Sequence, residues 1–106
     1  MIYIGEFREG FGEGRIPISE CISDVAVPEK NKLLLYLKHG RIAAASSIKL
    51  KDVLTGEYIP GETLYYTDGE YAWRSDLCYY FEKYNFILPP EFISHALAKQ
   101  NETSTL

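Results

Sequence analysis

Apolar and polar positions alternate first with a period near two and then with a period near 3.6, which breaks the chain into short strands and short helices. Ile2-Tyr3-Ile4-Gly5-Glu6-Phe7 reads as a short strand entering a glycine-rich acidic loop at 9–14, Glu-Gly-Phe-Gly-Glu-Gly. From Arg15 to Ile22, Ile16, Ile18 and Ile22 fall at even positions and predict a second extended piece with one apolar face. Pro28 stands where a first helical residue belongs and Gly40 where a helix stops. Between them Leu33, Leu34 and Leu37 form a core stripe, Lys30, Lys32 and Lys38 fall to the outer face, and Lys38 and His39 complement the helix C-terminus. Arg41 to Ser47 is alanine-rich and follows that stop signal, which predicts a close-packed strand.

The second half carries sharper signals. Asp68-Gly69 is a two-residue hairpin turn of the kind that needs positive φ at both positions. It pairs Tyr66 with Tyr71 and Leu64 with Trp73 on one face, and Tyr65 with Ala72 on the other. Ser75 is an N-cap with Asp76 in the first turn, and Leu77, Tyr80, Phe81 and Tyr84 follow as one buried helical stripe. Asn85 ends that helix, and Pro89-Pro90 opens another with Phe92, Ile93, Ala96 and Leu97 inward. Sheet and helices mix without a βαβ rhythm, so the fold class is α+β: a mostly antiparallel sheet with two to three short helices.

Length makes this one domain. The 106 residues, 46% hydrophobic and 25% charged, are globular in composition and predict a single domain over 1–100 with a loose tail at 101–106. Neither a basic N-terminal leader nor a long apolar run is visible, and Cys21 and Cys78 form no CxxC pair, which points to buried thiols in a cytoplasmic protein.

Charge adds a pattern. The net −4 is a poor match for nucleic acid, whose binding rests on neutralising phosphates. It is also unevenly distributed: residues 1–29 carry −4, residues 30–51 carry +6 and residues 52–91 carry −6. Such polarity could steer a charged partner, although lysines on an outer helix face are also ordinary.

Candidate chemistry is sparse. The loop at 10–14 is not GxGxxG and is followed by Arg-Ile-Pro-Ile, so it offers no helix N-terminus for phosphate. His39 and His95 could act as an acid–base pair in a small nucleic-acid hydrolase, but one sits at a helix C-terminus and the other four residues after Glu91, a surface-pair spacing. Two lone cysteines and two lone histidines share no zinc spacing, and neither metal nor cofactor is expected. Of nine tyrosines, Tyr66, Tyr71, Tyr80 and Tyr84 read as inward, while Tyr58, Tyr65 and Tyr79 are candidates for exposure near Glu57, Glu62, Asp68 and Glu70. A solvated hairpin and a protein interface both fit that arrangement.

The stretch Thr67-Asp68-Gly69-Glu70-Tyr71-Ala72-Trp73-Arg74-Ser75-Asp76-Leu77-Cys78-Tyr79-Tyr80-Phe81-Glu82-Lys83-Tyr84, with Leu88-Pro89-Pro90-Glu91-Phe92, resembles a group of small bacterial proteins encoded beside secreted polymorphic toxins. That group includes immunity proteins of contact-dependent growth inhibition systems. The likeness is clearest from about Leu33 to Leu97 and is chiefly a fold signature. It implies a non-enzymatic inhibitor whose partner is the C-terminal domain of a cognate toxin, with no nucleic acid, membrane or metal partner. Many such toxins are nucleases with basic clefts, a ribonuclease being favoured, and acidic side chains of this chain would cover the cleft. The candidates are Glu6, Glu9 and Glu13 of the early loop, and Glu57, Glu62, Asp68 and Glu70 of the hairpin region, with Tyr65. A hydrolase using His39 and His95, or a regulatory binding module unrelated to toxins, are the alternatives.

Overall fold

Trp73 and Tyr71, two residues apart on one strand, set the architecture by turning the same sheet face toward the helices. In the computed structural model, which describes residues 1–104, they lie on β4 (Tyr71–Arg74), paired antiparallel with β3 (Thr63–Thr67). Strand β2 (Arg41–Ser46) pairs antiparallel with β3, and β1 (Ile2–Tyr3) pairs parallel with β4, giving the order β1-β4-β3-β2. Four α-helices accompany this sheet: a single turn α1 (Arg8–Phe11), α2 (Lys30–Lys38), α3 (Asp76–Tyr84) and α4 (Pro90–Ser104). The α+β class therefore holds, with two of the three strand pairings antiparallel.

Helices α2 and α4 close the Trp73 face. The Phe92 ring of α4 lies 5.0 Å from Tyr71 and 5.6 Å from Trp73, and Tyr36 of α2 lies 6.3 Å from Trp73. The indole N–H of Trp73 donates to the Leu37 carbonyl at 3.0 Å, partnering one of the carbonyls that the end of α2 leaves without an intrahelical bond. Gly40 lets this happen: a Cβ there would meet Trp73 at 2.9 Å and Tyr66 at 3.0 Å. Leu33, Leu37, Phe92 and Ala96 are fully buried, and Phe7, Leu77, Tyr80 and Phe81 nearly so. Asn85 ends α3 in the left-handed conformation, which asparagine tolerates, and its amide bonds the Ser23 and Val25 carbonyls.

Several local expectations change. The acidic loop at 9–14 begins inside α1, because the amide of Phe11 bonds the Phe7 carbonyl before Gly12 and Gly14 take positive φ. Residues 15–22 are not a strand: Pro17 precedes a 3-10 turn at Ile18–Glu20, and only Ile18 of the three isoleucines is buried. Helix α2 starts two residues after Pro28, because Glu29 adopts a left-handed conformation. The alanine strand is β2, but it is an exposed sheet edge rather than a close-packed element, with Ile42 58% exposed.

The hairpin turn also shifts. Asp68 and Tyr71 close it, Gly69 alone has positive φ, and Asp68 Oδ1 accepts the amides of Glu70 and Tyr71. Tyr66 consequently faces Trp73, and Tyr65 faces Arg74. Because the slip is two residues in pairing sum, each side chain keeps its expected face. Ser75 precedes α3 but does not cap it; its hydroxyl accepts from the Leu64 amide and donates to the Glu62 carbonyl. Helix α4 continues to Ser104, and of the tail expected at 101–106, residues 105–106 lie outside those described.

Phe92→Ala should lower stability by about 3–5 kcal/mol, since it opens a cavity beneath Trp73 and Tyr71. Ile42→Ala should change it by less than about 0.5 kcal/mol at the exposed edge. Urea denaturation of both variants checks the contrast.

Candidate protein-binding face

Two carboxylates, Asp52 and the hairpin's Asp68, are internal fasteners. Asp52 is fully buried, and its Oδ2 accepts the hydroxyls of Tyr79 at 2.7 Å and Tyr84 at 2.6 Å. Its Oδ1 accepts the amides of Leu54 at 2.8 Å and Thr55 at 3.3 Å, so one side chain ties the 51–58 loop to α3. Burial opposes its ionisation, but the Tyr84 and Tyr79 hydroxyls and those amides outweigh it and hold the carboxyl below its ordinary pKa. Tyr79, a candidate for exposure, is therefore half-buried and engaged.

Asp68 is the second. Its Oδ2 accepts the Tyr36 hydroxyl at 2.5 Å and lies 2.8 Å from His95 Nε2, joining α2, the hairpin turn and α4. Burial again opposes the charge, and the Tyr36 hydroxyl, the Tyr71 and Glu70 amides and His95 lower the carboxyl pKa. Tyr36 is pushed up, by burial and then by the carboxylate it bonds. His95 thus pairs across the fold with Asp68, and with Glu70 at 3.6 Å, rather than with Glu91. His39 bonds the Leu35 carbonyl one helical turn back, as a residue at a helix C-terminus does.

The sheet face opposite Trp73 is open. Tyr3, Ala72, Thr67, Tyr65, Arg74 and Ala44 share it by register, and small side chains line its middle. Met1, Tyr3, Glu6, Phe11, Ala43, Ala44, Tyr65, Thr67, Ala72 and Arg74 line a groove of about 470 Å³ there, to which Ile4, Tyr66 and Trp73 also contribute. Tyr3 is 67% exposed and Tyr65 40% exposed. The rim is held rigidly: the Arg74 guanidinium lies 4.0 Å over the Phe11 ring and makes paired bonds of 3.0 and 2.8 Å to buried Asp76. Arg74 is thereby neutralised, and the groove presents aromatic rings rather than a free cation.

The candidate contact residues divide accordingly. Glu6 and Tyr65 meet at this groove, with Glu6 also 3.4 Å from Arg15. Glu13 is exposed two residues beyond Phe11, whereas the Glu9 carboxylate accepts the Ile18 amide at 2.8 Å and holds the 3-10 turn in place. Glu57 and Glu62 are exposed elsewhere, Glu62 beside the C-terminal end of β2, and Asp68 and Glu70 sit at the His95 cluster. Asp68 is thus turned inward and is not available to a partner. Tyr3, Met1 and Phe11 are the groove residues that the sequence reading missed; their partner strands lie some seventy positions away, so no local pattern marks them.

The basic block is divided too. Lys30 bonds the Glu82 carbonyl and Asn85, Lys32 pairs with Glu29, and Lys38 pairs with Glu82. Arg41, Lys49 and Lys51, at and beyond the ends of β2, have no carboxylate partner among the described residues; Lys49 reaches the Gly61 carbonyl and Lys51 lies over Tyr58. Glu6 and Glu13 therefore stand on the N-terminal segment, whereas the bases without a carboxylate partner stand at the ends of β2, where the exposed Glu62 is also found.

Cys21 and Cys78 are free, buried thiols, and burial pushes Cys78 up to about 12. No group of three or more His, Cys, Asp or Glu side chains arranged to hold a metal occurs among the described residues, and no described helix is long and apolar enough to cross a membrane. Compared with known proteins, the chain matches no family model, no curated sequence and no solved structure.

Asp52→Asn should cost about 1.5–3 kcal/mol at pH 7, because it replaces charge-assisted bonds to two tyrosines. A carboxyl whose folded pKa is depressed contributes stability above its unfolded value of roughly 4, and that contribution disappears as pH falls through the folded pKa. The gap between wild type and D52N should therefore narrow as pH falls below the ordinary carboxylate range and through the depressed folded pKa of Asp52, measured by denaturation across pH.

Proposed function

We propose that this protein is an inhibitor of the immunity type, which binds and neutralises a toxin domain by docking its open sheet face against it. The observation that carries the reading is the groove itself: exposed Tyr3 and Tyr65 around a floor of small side chains, with Glu6 on the rim. Tyrosines held on a rigid sheet offer large contact area at low entropic cost, and such aromatic anchors dominate binding energy in protein interfaces. The resemblance of Thr67–Phe92 to immunity proteins supports the same class of partner.

The physical demands are within reach of such a surface. Nanomolar affinity needs about −12 kcal/mol, which an interface of roughly 800 Å² per partner supplies when it has good anchors. Glu6 and Glu13, on the N-terminal segment beside the groove, are of the right sign to meet a cleft that binds phosphates, with a ribonuclease as the favoured toxin. The histidine alternative has less support, since His95 is engaged by Asp68 and His39 by its own helix.

The test is co-expression with the C-terminal domain of a toxin encoded beside this chain. A stoichiometric complex and loss of toxicity are expected. Tyr3→Ala with Tyr65→Ala should weaken binding at least about thirtyfold while the fold is retained by circular dichroism. Glu6→Lys with Glu13→Lys should slow association about tenfold at low salt and little at high salt. Failure to bind, or turnover of RNA that His95→Ala abolishes, would sink the proposal.

A further inference from the structure

The edge of the sheet formed by β2 is a second surface, which adjoins the groove at Ala43 and Ala44. We propose that β2 is a docking edge for an extended segment of a partner protein, acidic at its ends and bulky in its middle, which adds to the sheet as a fifth strand. The proposal does not depend on that partner being a toxin.

The backbone supplies the first half of the argument. In the order β1-β4-β3-β2, β2 is terminal, and none of its outward amides or carbonyls bonds another backbone group among the described residues. It is the longest strand at six residues, spanning roughly 20 Å, whereas the opposite edge, β1, has two residues. One irregularity between Ile42 and Ala44 leaves the rest in regular register, with Ala44, Ala45 and Ser46 facing Tyr65, Leu64 and Thr63. A row of unpaired backbone donors and acceptors on a regular strand is the template that strand addition uses.

Side chains supply the second half. Ala43, Ala44 and Ala45 are exposed and small, so an added strand has room for large side chains beside them. Ile42 at 58% exposure and Ile48 at 66% stand at either end of the alanine run as apolar contacts. Arg41 opens the strand, and Lys49 and Lys51 follow it, all without a carboxylate partner among the described residues. These cations select the occupant. A second copy pairing antiparallel through β2 would bring each Arg41 toward the Ser46–Lys49 end of the other, placing like charges together. An acidic segment would neutralise both ends.

The experiment titrates the full isotope-labelled chain with a short peptide of alternating valine and tyrosine carrying glutamates at both ends, and with its lysine-ended counterpart. The glutamate peptide should shift the amide resonances of Arg41–Ser46 and slow hydrogen exchange at the outward amides, with the lysine peptide binding at least about tenfold more weakly. Arg41→Glu with Lys49→Glu, both exposed changes, should invert that preference. Equal binding of the two peptides, absence of protection in β2, protection confined to the Tyr3–Tyr65 groove, or concentration-dependent dimerisation of the free chain through β2 would each overturn the proposal. The peptides are read at the outward backbone amides of β2, which the groove does not use, so their failure leaves the toxin experiment to be judged by itself.

Discussion

Burial of Trp73 is the constraint on which the arrangement rests. Its indole must lose water on both ring faces and still find an acceptor, and both needs are met in one place by Tyr66, Phe92 and the Leu37 carbonyl. Meeting them fixes α2 against β4, requires glycine at position 40, and draws α4 across the same face. A chain of 106 residues has few helices left once that is done. Three of the four α-helices among the described residues exceed a single turn, and α2 and α4 are committed to one sheet face. The opposite face and the β2 edge stay uncovered as a result, which makes exposure at Tyr3, Tyr65 and Ile42 a product of how the core closes.

The tyrosines serve three distinct physical roles. Tyr71 and Tyr80 are buried rings, and burial pushes the Tyr80 hydroxyl pKa up to about 12. Tyr36, Tyr79 and Tyr84 use their hydroxyls on buried or half-buried carboxylates, fastening the hairpin turn to α2 and the 51–58 loop to α3. Tyr3, Tyr58 and Tyr65 remain on the surface. Each internal carboxylate is one acid fewer for a partner, so the acidic surface is smaller than the charge of the chain suggests. Asp52, Asp68 and Asp76 are all engaged inside the fold.

What could be read from the sequence was whatever depends on neighbours in the chain. The Leu77, Tyr80, Phe81 stripe, the Asn85 stop and the Pro90 start all follow from helical spacing and backbone preference. The α+β class followed from mixing those helices with a hairpin. The turn register did not, because Asp68 bonds the amides of Glu70 and Tyr71 and moves the turn forward by one residue. Tyr79 and His95 were misplaced for a related reason: their partners, Asp52 and Asp68, lie twenty-seven positions away, and nothing local announces them. At the groove, Tyr65 and Glu6 were legible as exposed polar or amphipathic residues. Tyr3 was not, because β1 joins the sheet in parallel with a strand from the far end of the hairpin.

That parallel pairing bears on the order in which the molecule acquires its surface. The contact between Ile2 and Tyr71 closes a loop of about seventy residues, and its loop-closure entropy is accordingly among the largest in the sheet. The hairpin and α3 are built from near neighbours and carry little of that burden. The first residues of the chain are therefore poised to be among the last fixed in place. Met1, Tyr3, Glu6 and Phe11 all belong to that segment, and so do Ile4 and Phe7 of the core, so the groove and the last part of the core are completed together. A half-folded chain holds its hairpin and its helices but only one wall of the cleft, and recognition through that face becomes a property of the completed fold alone.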